Sequence, residues 1–376
     1  MTPTDSQAAA IVQIVDWYKG GKRTPQVFYL AGYAGVGKSE VARMAIEELK
    51  DKCKVKNVCA AAYTGKAAHV LRRKGVENAM TFHSATYIPK EEDGEFTYQL
   101  AWGGPAASAD LIMLDEVSFI SEEDAADIRK FGKKILVMGD PGQLPPVKGQ
   151  GAFTSRTPDV FLTEIHRQAA NSPIIHLATL ARMGKPIPCG DYGDGVTVEI
   201  LNQETQVALY REETQPICGV HRVRWGYTQR IRRRRGYDGR IPQLGERLIC
   251  RRNNKDAGIF NGGLGTLIEE PEMTDGGFFY LTLQMEDLER PSKKLWTNPY
   301  LFDQHFTGSK EKPPYVRGCN EFDWGNVLTC HSAQGSEYDD VTLIDDGASF
   351  REDQHKWRYT GLTRSCGRLK YLKRAA

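Results

Sequence analysis

Apolar and polar positions along the N-terminal half of the chain predict buried strands joined by helices. Continuous apolar runs, typical of parallel strands covered on both faces, end just before Gly32, Asp115 and Asp140. After the first run, apolar residues recur with a period of about 3.6 from Val41 to Leu49, which indicates an amphipathic helix. This alternation of strand and helix predicts an α/β fold with a parallel sheet.

Composition and charge limit the classes of protein that fit the chain. Its 376 residues suggest two or three domains, and 40% hydrophobic with 26% charged residues is typical of a soluble globular protein. No apolar run reaches the roughly 18–20 residues of a membrane span, and the start fits a capped amphipathic helix rather than a signal peptide. Eight cysteines without a C-x-x-C pair support neither a zinc site nor a disulfide framework. We therefore expect a cytoplasmic protein, and the net charge of +2 does not by itself indicate a polyanionic partner.

The segment GYAGVGKS between the first strand and its helix fits the phosphate-loop pattern G-x-x-x-x-G-K-[ST]. Backbone amides of Gly35, Val36 and Gly37 can surround phosphate oxygens at the positive end of the helix. Lys38 can reach the β- and γ-phosphates, and the Ser39 hydroxyl can bind Mg²⁺. The alternative is a glycine-rich turn that happens to precede a helix, but the flanking strand and helix favour a site for ATP and Mg²⁺.

A second buried strand ends in the acidic pair Asp115 and Glu116, in the segment LDEVS. Asp115 would hold the Mg²⁺ ion through water, and Glu116 would polarise the attacking water. Two surface acids at the end of a strand are the alternative, and the phosphate loop makes the catalytic interpretation the stronger one.

The next apolar run ends in the stiff loop GDPGQLPPV, which carries Gln143. Ligands of open α/β sheets bind at the carboxyl ends of the strands, so Gln143 is expected near the γ-phosphate. A neutral amide can sense that phosphate without competing for the metal, and a structural turn is the alternative.

The order of these motifs resembles that of superfamily-one helicases, in particular the RecD-like and Dda-like branch that moves 5′ to 3′ on single-stranded DNA. The resemblance extends over residues 7–365. It is carried by the phosphate loop, LDEVS, GDPGQLPPV, LTEIHRQ (Leu162–Gln168), LTCHSAQGSEYDDV (Leu328–Val341) and YTGLTRS (Tyr359–Ser365).

The resemblance implies an α/β protein with two RecA-like parallel-sheet lobes and ATP in the cleft between them. The expected first lobe comprises residues 1–86 and 107–166, interrupted by a hairpin insertion at 87–106. The expected second lobe comprises 167–243 and 324–376, interrupted by an SH3-like barrel at 244–323.

The resemblance also implies roles for residues outside the phosphate loop. Gln7, just upstream of the first helix, resembles a residue that reads adenine, although an ordinary polar residue at a helix start is the alternative. Arg167 and Arg364 resemble paired arginine fingers, which neutralise charge on the γ-phosphate; surface salt bridges are their alternative. Gly335 and Glu337 resemble residues that face the nucleotide.

Two segments suit a track for single-stranded DNA. Thr64, Gly65 and Lys66 open a helix whose amides can bind a phosphate, and Phe82 and His83 can stack on bases or contact the backbone. A solvated lysine and a core phenylalanine are the alternatives for Lys66 and Phe82. The resemblance continues the groove through His331 and Ser332 of the second lobe, although many family members carry a basic residue where Ser332 stands.

Two further segments have open interpretations. The insertion reads as a hairpin with Asp93-Gly94 as its turn, and in relatives such a hairpin splits the duplex. Its aromatic residues Phe96, Tyr98 and Trp102 could supply the wedge, or the hairpin could be inert. The segment from His221 to Arg240 holds eight arginines and fits either a DNA contact or a solvated helix.

The sequence thus predicts an ATP-dependent DNA helicase for replication, recombination or repair. The alternatives are a translocase that displaces proteins with little unwinding, and a nucleotide-switched recombination subunit. Expected partners are single-stranded and fork DNA and replication or recombination proteins, with no membrane. We expect a monomer in the cytoplasm of a bacterium or a phage-infected cell. The residues do not distinguish an RNA track from a DNA track, and the family favours DNA.

Overall fold

The computed structural model describes residues 3–76, 78–92, 95–146, 151–164, 171–254, 257–286, 288–309, 311 and 316–375, with backbone only for 89–92 and 95–97. It divides into two compact units, Met1–Ile175 and His176–Ala376. The domain boundaries drawn from the sequence stay predictions. Among the described helices, none combines the length and the apolar character needed to cross a membrane.

The first unit alternates strands and helices as its apolar pattern predicts. Its helices are α1 (Asp5–Lys19), α2 (Lys38–Cys53), α3 (Gly65–Arg73), α4 (Phe82–Thr86), α5 (Pro105–Ser108) and α6 (Glu122–Arg129), with 3₁₀ turns at Gly21–Arg23 and Val117–Phe119. Its strands are β1 (Val27–Gly32), β2 (Val58–Ala62), β3 (Met80–Thr81), β4 (Tyr87–Glu92), β5 (Glu95–Leu100), β6 (Leu111–Asp115), β7 (Lys134–Gly139) and β8 (Val160–Leu162).

Six of these strands form a parallel sheet in the order β3-β2-β6-β7-β1-β8. Successive residues of a strand point to opposite faces, so Leu30 packs in the core with α1 and α2 while Tyr29 packs in the core on the other face. Burial on both faces explains the continuous apolar runs in the sequence. The remaining two strands, β4 and β5, pair antiparallel as a hairpin.

The helix α7 (Pro173–Arg182) crosses the division and leads into the second unit. The other helices there are α8 (His221–Arg234), α9 (Tyr300–Thr307), α10 (Cys330–Ala333) and α11 (Gln354–Leu362), with 3₁₀ turns at Thr205–Tyr210 and Gly347–Asp353. The strands are β9 (Gly190–Asp191), β10 (Val196–Ile200), β11 (Gln215–Cys218), β12 (Arg247–Cys250), β13 (Leu264–Leu267), β14 (Glu272–Met273), β15 (Phe279–Leu281), β16 (Leu283–Met285), β17 (Leu295–Asn298), β18 (Asn320–Trp324), β19 (Leu328–Thr329), β20 (Tyr338–Ile344) and β21 (Ser365–Lys373).

Two sheets organise the second unit. One has the order β19-β11-β20-β21-β10-β9 and is parallel except for the last pair. The other has seven strands in the order β14-β15-β17-β18-β12-β13-β16, and all its pairs except β17–β18 are antiparallel. The first sheet fits the expected second RecA-like lobe. The second sheet occupies the segment predicted as an SH3-like barrel, and that barrel type stays a prediction.

Buried ion pairs join α8 to the seven-stranded sheet. Arg224 Nη2 lies 2.6 Å from Asp323 Oδ2, and Arg232 Nε lies 2.7 Å from Glu246 Oε1. All four side chains are buried. Asp323 also accepts a hydrogen bond of 2.7 Å from His305 Nε2. Burial alone raises the pKa of Asp323, but Arg224, His305 and Arg251 outweigh burial and hold that pKa below its ordinary value.

Asp323→Asn is expected to destabilise the second unit by about 3–5 kcal/mol, because it leaves the buried Arg224 charge without its partner. Urea unfolding at neutral pH measures the loss, and Asp303→Asn on the exposed side of α9 serves as the matched control. Because the folded pKa of Asp323 is lowered, its contribution is complete above the unfolded pKa of about 3.9 and is lost as pH falls through the folded pKa. Equal stability of the two variants at neutral pH would contradict this role.

Candidate functional site

The loop between β1 and α2 has the backbone geometry of an anion site. Gly35 and Gly37 have φ angles of 81° and 80°, a left-handed conformation that side chains other than glycine rarely adopt. Gly37 is the N-cap of α2 and supplies no capping side chain, so the helix N-terminus is open to a negatively charged ligand. These features fit the phosphates of ATP, as the sequence predicts.

Lys38 and Ser39 begin α2 at this loop. The Lys38 ammonium group donates to the carbonyl oxygens of Gly32 at 2.8 Å and Tyr33 at 3.1 Å. These contacts hold the positive charge over the loop, where phosphate oxygens would bind. Ser39 follows directly and is half-buried, consistent with its predicted position as a metal ligand.

Gln7 lies inside the first turn of α1, rather than upstream of the helix as expected from the sequence. Its side-chain oxygen accepts from Thr4 N at 3.1 Å, and Thr4 Oγ1 accepts from Gln7 N at 3.4 Å. This reciprocal capping box also fixes the Gln7 amide, which donates to the Val36 carbonyl at 3.1 Å. Gln7 therefore anchors the phosphate loop, and its reading of adenine stays a prediction.

The acidic pair lies at the carboxyl end of β6. Burial raises the pKa of Asp115 to about 6, and the charge of Glu116 adds to this effect while the Glu116 amide and Lys38 oppose it. That amide donates to Asp115 Oδ1 at 2.9 Å. A half-buried carboxylate whose ionisation is disfavoured fits a divalent cation, because the cation would stabilise the ionised form.

Glu116 has an unusual backbone conformation for its residue type. Its φ and ψ angles are 52° and 47°, in the left-handed region. Such conformations cost energy outside glycine and cluster at functional sites. The strand ends at Asp115, and the 3₁₀ turn Val117–Phe119 begins directly after Glu116.

Gln143 follows β7, which lies between β1 and β6 in the sheet. Asp140 organises the turn, because its side chain accepts from Gly142 N at 2.9 Å and its carbonyl accepts from Gln143 N at 3.1 Å. Gln143 is 7% exposed. Three neighbouring parallel strands thus carry the phosphate loop, Gln143 and the acidic pair at one edge. The end of the loop, residues 147–150, lies outside the described residues.

The structure describes only one of the two expected arginine fingers. Arg167 lies outside the described residues. Arg364, in the second unit, is 5% exposed and donates to the carbonyls of Thr360 and Ser336, each at 3.0 Å. Its guanidinium is therefore held firmly within its own unit. In the same unit Gly335 has a φ of 75° and Glu337 is exposed; the roles of all three residues stay predictions.

The residues of the expected DNA track in the first unit differ in how far their side chains are exposed to solvent. Thr64 caps α3 by accepting from Ala67 N at 3.1 Å, followed by buried Gly65 and half-buried Lys66. Phe82 is 0% exposed, so its predicted contact with DNA is corrected. As the first residue of α4 it points into the core, where burial of its ring is favoured.

His83, the neighbour of Phe82, is exposed and belongs to a group of aromatic rings. Its ring centroid lies 5.5 Å from that of Tyr63 and 6.5 Å from that of Tyr98. Tyr63 also stacks on Phe119, with centroids 5.4 Å apart. Tyr63 and Phe119 were not anticipated, although an aromatic residue directly before Thr64 is visible in the sequence.

The second-unit residues of the track include a cation that sequence reasoning missed. Arg251 Nη1 donates to Ser332 Oγ at 3.0 Å, so a positive charge reaches Ser332 from the end of β12. Burial lowers the pKa of Arg251 to about 10, with Arg224 adding to the effect. His331 is half-buried and its ring lies 5.8 Å from that of Phe350. No local sequence signal connects Arg251 with Ser332.

The hairpin insertion presents two described candidate wedges, Tyr98 and Trp102. Tyr98 on β5 is 66% exposed and lies 6.3 Å, between centroids, from Tyr87. The Phe96 side chain and the turn residues Asp93 and Gly94 lie outside the described part of the chain. Trp102, after β5, is 64% exposed. The strand-splitting role of Phe96 and Tyr98 stays a prediction.

Comparisons with known proteins agree with this geometry. A family model described as "AAA domain" matches residues 3–203, and one described as "UvrD-like helicase C-terminal domain" matches residues 325–369. The ATP-dependent RecD2 DNA helicase of Deinococcus radiodurans is 26% identical over 364 residues, which cover 90% of this chain and 46% of that protein. The chain therefore spans about half the length of this curated relative.

Two solved structures show the same fold at low sequence identity. Pif1 helicase from Bacteroides, in complex with ADP-AlF3 and single-stranded DNA, has a TM-score of 0.60 and 17% identity, with 100% of this chain and 93% of that chain covered. Pif1 helicase from Candida albicans has a TM-score of 0.58 and 17% identity, with 99% and 94% covered. These likenesses confirm the two RecA-like lobes. Together with the family models, they confirm the resemblance to superfamily-one helicases.

Gln7→Ala is expected to raise the KM for ATP and for GTP by a similar factor, because the lost hydrogen bond anchors the loop that holds the phosphates of either nucleotide. A net hydrogen-bond contribution of about 0.5–1.5 kcal/mol corresponds to roughly 2- to 13-fold. Steady-state hydrolysis with both nucleotides measures it, and Gln13→Ala on the exposed face of α1 is the control. A loss confined to ATP would instead identify Gln7 as a reader of adenine.

Proposed function

Because the chain belongs to the AAA domain family, we propose that it is an ATP-driven helicase that moves 5′ to 3′ along single-stranded DNA and unwinds duplex DNA. The observation that carries this proposal is the edge of the first sheet. There, three adjacent parallel strands present a phosphate loop, a glutamine loop and an acidic pair. The UvrD-like helicase segment at 325–369 supports a motor rather than a simple nucleotide-binding domain.

The residues at this edge suit ATP hydrolysis. Lys38 and the amides at the start of α2 would bind the phosphates, and Ser39 and Asp115 would hold Mg²⁺. When bound, Mg²⁺ supplies positive charge that neutralises phosphate oxygens. Glu116 would orient the attacking water and accept its proton. Arg167 and Arg364 are proposed as arginine fingers from their positions in the motifs.

The DNA track is proposed from residues that the helicase motifs single out in each unit, of which His83 is exposed. Thr64, Gly65 and Lys66 would contact the phosphate backbone, and His83 would contact a base or the backbone. His331 and Ser332 would continue the track, with Arg251 supplying the positive charge at Ser332. The hairpin, through Tyr98 or Phe96, would separate the strands. The Bacteroides Pif1 structure with single-stranded DNA supports DNA as the ligand.

Unwinding of two matched duplexes, one with a 5′ and one with a 3′ single-stranded tail, tests the proposal in the presence of ATP and Mg²⁺. We expect only the 5′-tailed duplex to open. Lys38→Ala is the control: it should lose ATP hydrolysis, because the phosphates lose their lysine, and retain some affinity for single-stranded DNA. Retained hydrolysis in Lys38→Ala would refute the assigned phosphate site.

The other outcomes of this experiment are equally informative. Opening of the 3′-tailed duplex alone would preserve the motor and overturn the direction of movement. If neither duplex opens while single-stranded DNA stimulates hydrolysis, the protein is a translocase without strand separation or requires a partner for unwinding.

Gln143 is proposed to couple the nucleotide state to movement on DNA, since its loop lies between the phosphate loop and the acidic pair. Gln143→Ala should leave the KM for ATP near normal and lower DNA-stimulated turnover and unwinding. A coupling free energy of about 1–3 kcal/mol predicts a loss of roughly 5- to 150-fold. Gln13→Ala is the control, and an unchanged unwinding rate in Gln143→Ala would eliminate the coupling role.

A further inference from the structure

The structure separates the eight arginines between His221 and Arg240 into distinct groups. Arg224 and Arg232 are buried in the ion pairs that join α8 to the seven-stranded sheet. Arg235, just after α8, donates to Asn326 Oδ1 and to the Arg211 carbonyl. Arg224 and Arg232 therefore stabilise the second unit and are not available to a partner, and Arg235 is engaged by neighbouring residues of the same unit.

The opposite face of α8 carries an exposed group, Arg222, Arg230 and Arg233, which we name the arginine stripe. All three side chains are exposed, and within the described part of the chain none of them forms an ion pair. Their spacing of eight and then three residues places them on one helical face, with Gly226 between Arg222 and Arg230. At about 1.5 Å of rise per residue the stripe extends roughly 16 Å.

Two half-buried tyrosine rings beside the stripe lie against arginine guanidinium groups. The guanidinium carbon of Arg230 lies 5.2 Å from the centroid of the Tyr227 ring, and that of Arg234 lies 5.4 Å from the Tyr210 centroid. Cation–π contacts of this kind hold the guanidinium groups in place. At Tyr227 and Tyr210 they also occupy part of the ring surface on which a single-stranded base would stack.

From this arrangement we propose that the arginine stripe binds the phosphate backbone of duplex DNA. The proposal rests on the proposed function, since it gives a DNA motor a second contact with its substrate. Three exposed guanidinium groups on one helical face, none of them in an ion pair among the described residues, complement a polyanion of regular charge spacing. A duplex hides its bases and presents phosphates, whereas single-strand binding without sequence preference uses exposed aromatic platforms.

Replacement of the stripe by glutamine, R222Q/R230Q/R233Q, tests the inference in the full chain. Binding of a blunt 24-base-pair duplex and of a single-stranded oligonucleotide would be measured by fluorescence anisotropy as a function of salt concentration. The matched control, K19Q/K22Q/R23Q, removes the same number of positive charges from exposed positions of the first unit. R222K/R230K/R233K preserves the charge and is expected to retain most of the salt dependence.

The stripe variant is expected to bind the duplex at least tenfold more weakly at about 100 mM salt, because it loses three phosphate contacts. The negative slope of log affinity against log salt concentration should become shallower by ~2.7, because each lost phosphate contact removes about 0.9 from its magnitude. Affinity for the single strand should stay within about twofold. The control and lysine variants should remain near wild type in duplex affinity.

Other results would overturn the inference. Unchanged duplex affinity in the stripe variant would show that the stripe is a solvated helix face, and selective loss of single-strand affinity would assign it to the other ligand. An equal loss in K19Q/K22Q/R23Q would reveal only an effect of net charge. Failure of single-stranded DNA to stimulate ATP hydrolysis in the wild type would refute the proposed function, whereas the stripe is judged by duplex binding.

Discussion

The parallel register of β1, β7 and β6 is the constraint on which the candidate site depends. Ala31 pairs with Gly139, and Val137 pairs with Leu114, so the three strands end almost level with one another. Because parallel strands deliver their carboxyl ends to one edge, the loops that follow them meet there, although they are far apart in the sequence. A shift in this register would separate the carboxylates from the phosphate loop while leaving both motifs intact.

The sequence predicted those features of the site whose conformation is determined by residues close to them in the chain. The phosphate loop and the acidic pair follow continuous apolar runs, and their backbone conformations are set within a few residues. Phe82 could not be assigned in this way, because its direction depends on how α4 packs on the sheet. The capping role of Gln7 was readable from the T-x-x-Q spacing, whereas its contact with Val36 required the tertiary structure.

In the second unit, the partners of the charged residues could not be predicted from the sequence. Sequence reasoning saw a run of arginines near α8, and only the structure distinguishes Arg224 and Arg232, which face buried acids, from exposed neighbours. Their partners Asp323 and Glu246 lie on or beside strands of another sheet, so no spacing rule connects them. The same holds for Arg251, which reaches Ser332 from a distant segment. Ion pairs between residues that are distant in the sequence could therefore not be predicted from the sequence pattern.

The left-handed backbone at Glu116 has a consequence for how this protein could change over time. A non-glycine residue in that conformation carries a strain of about 1–2 kcal/mol, which the surrounding fold must offset. Glycine there would relieve the strain and remove the carboxylate in the same step. Selection for stability alone would therefore favour loss of the acid, so a glutamate in this conformation is what the proposed catalytic role would require.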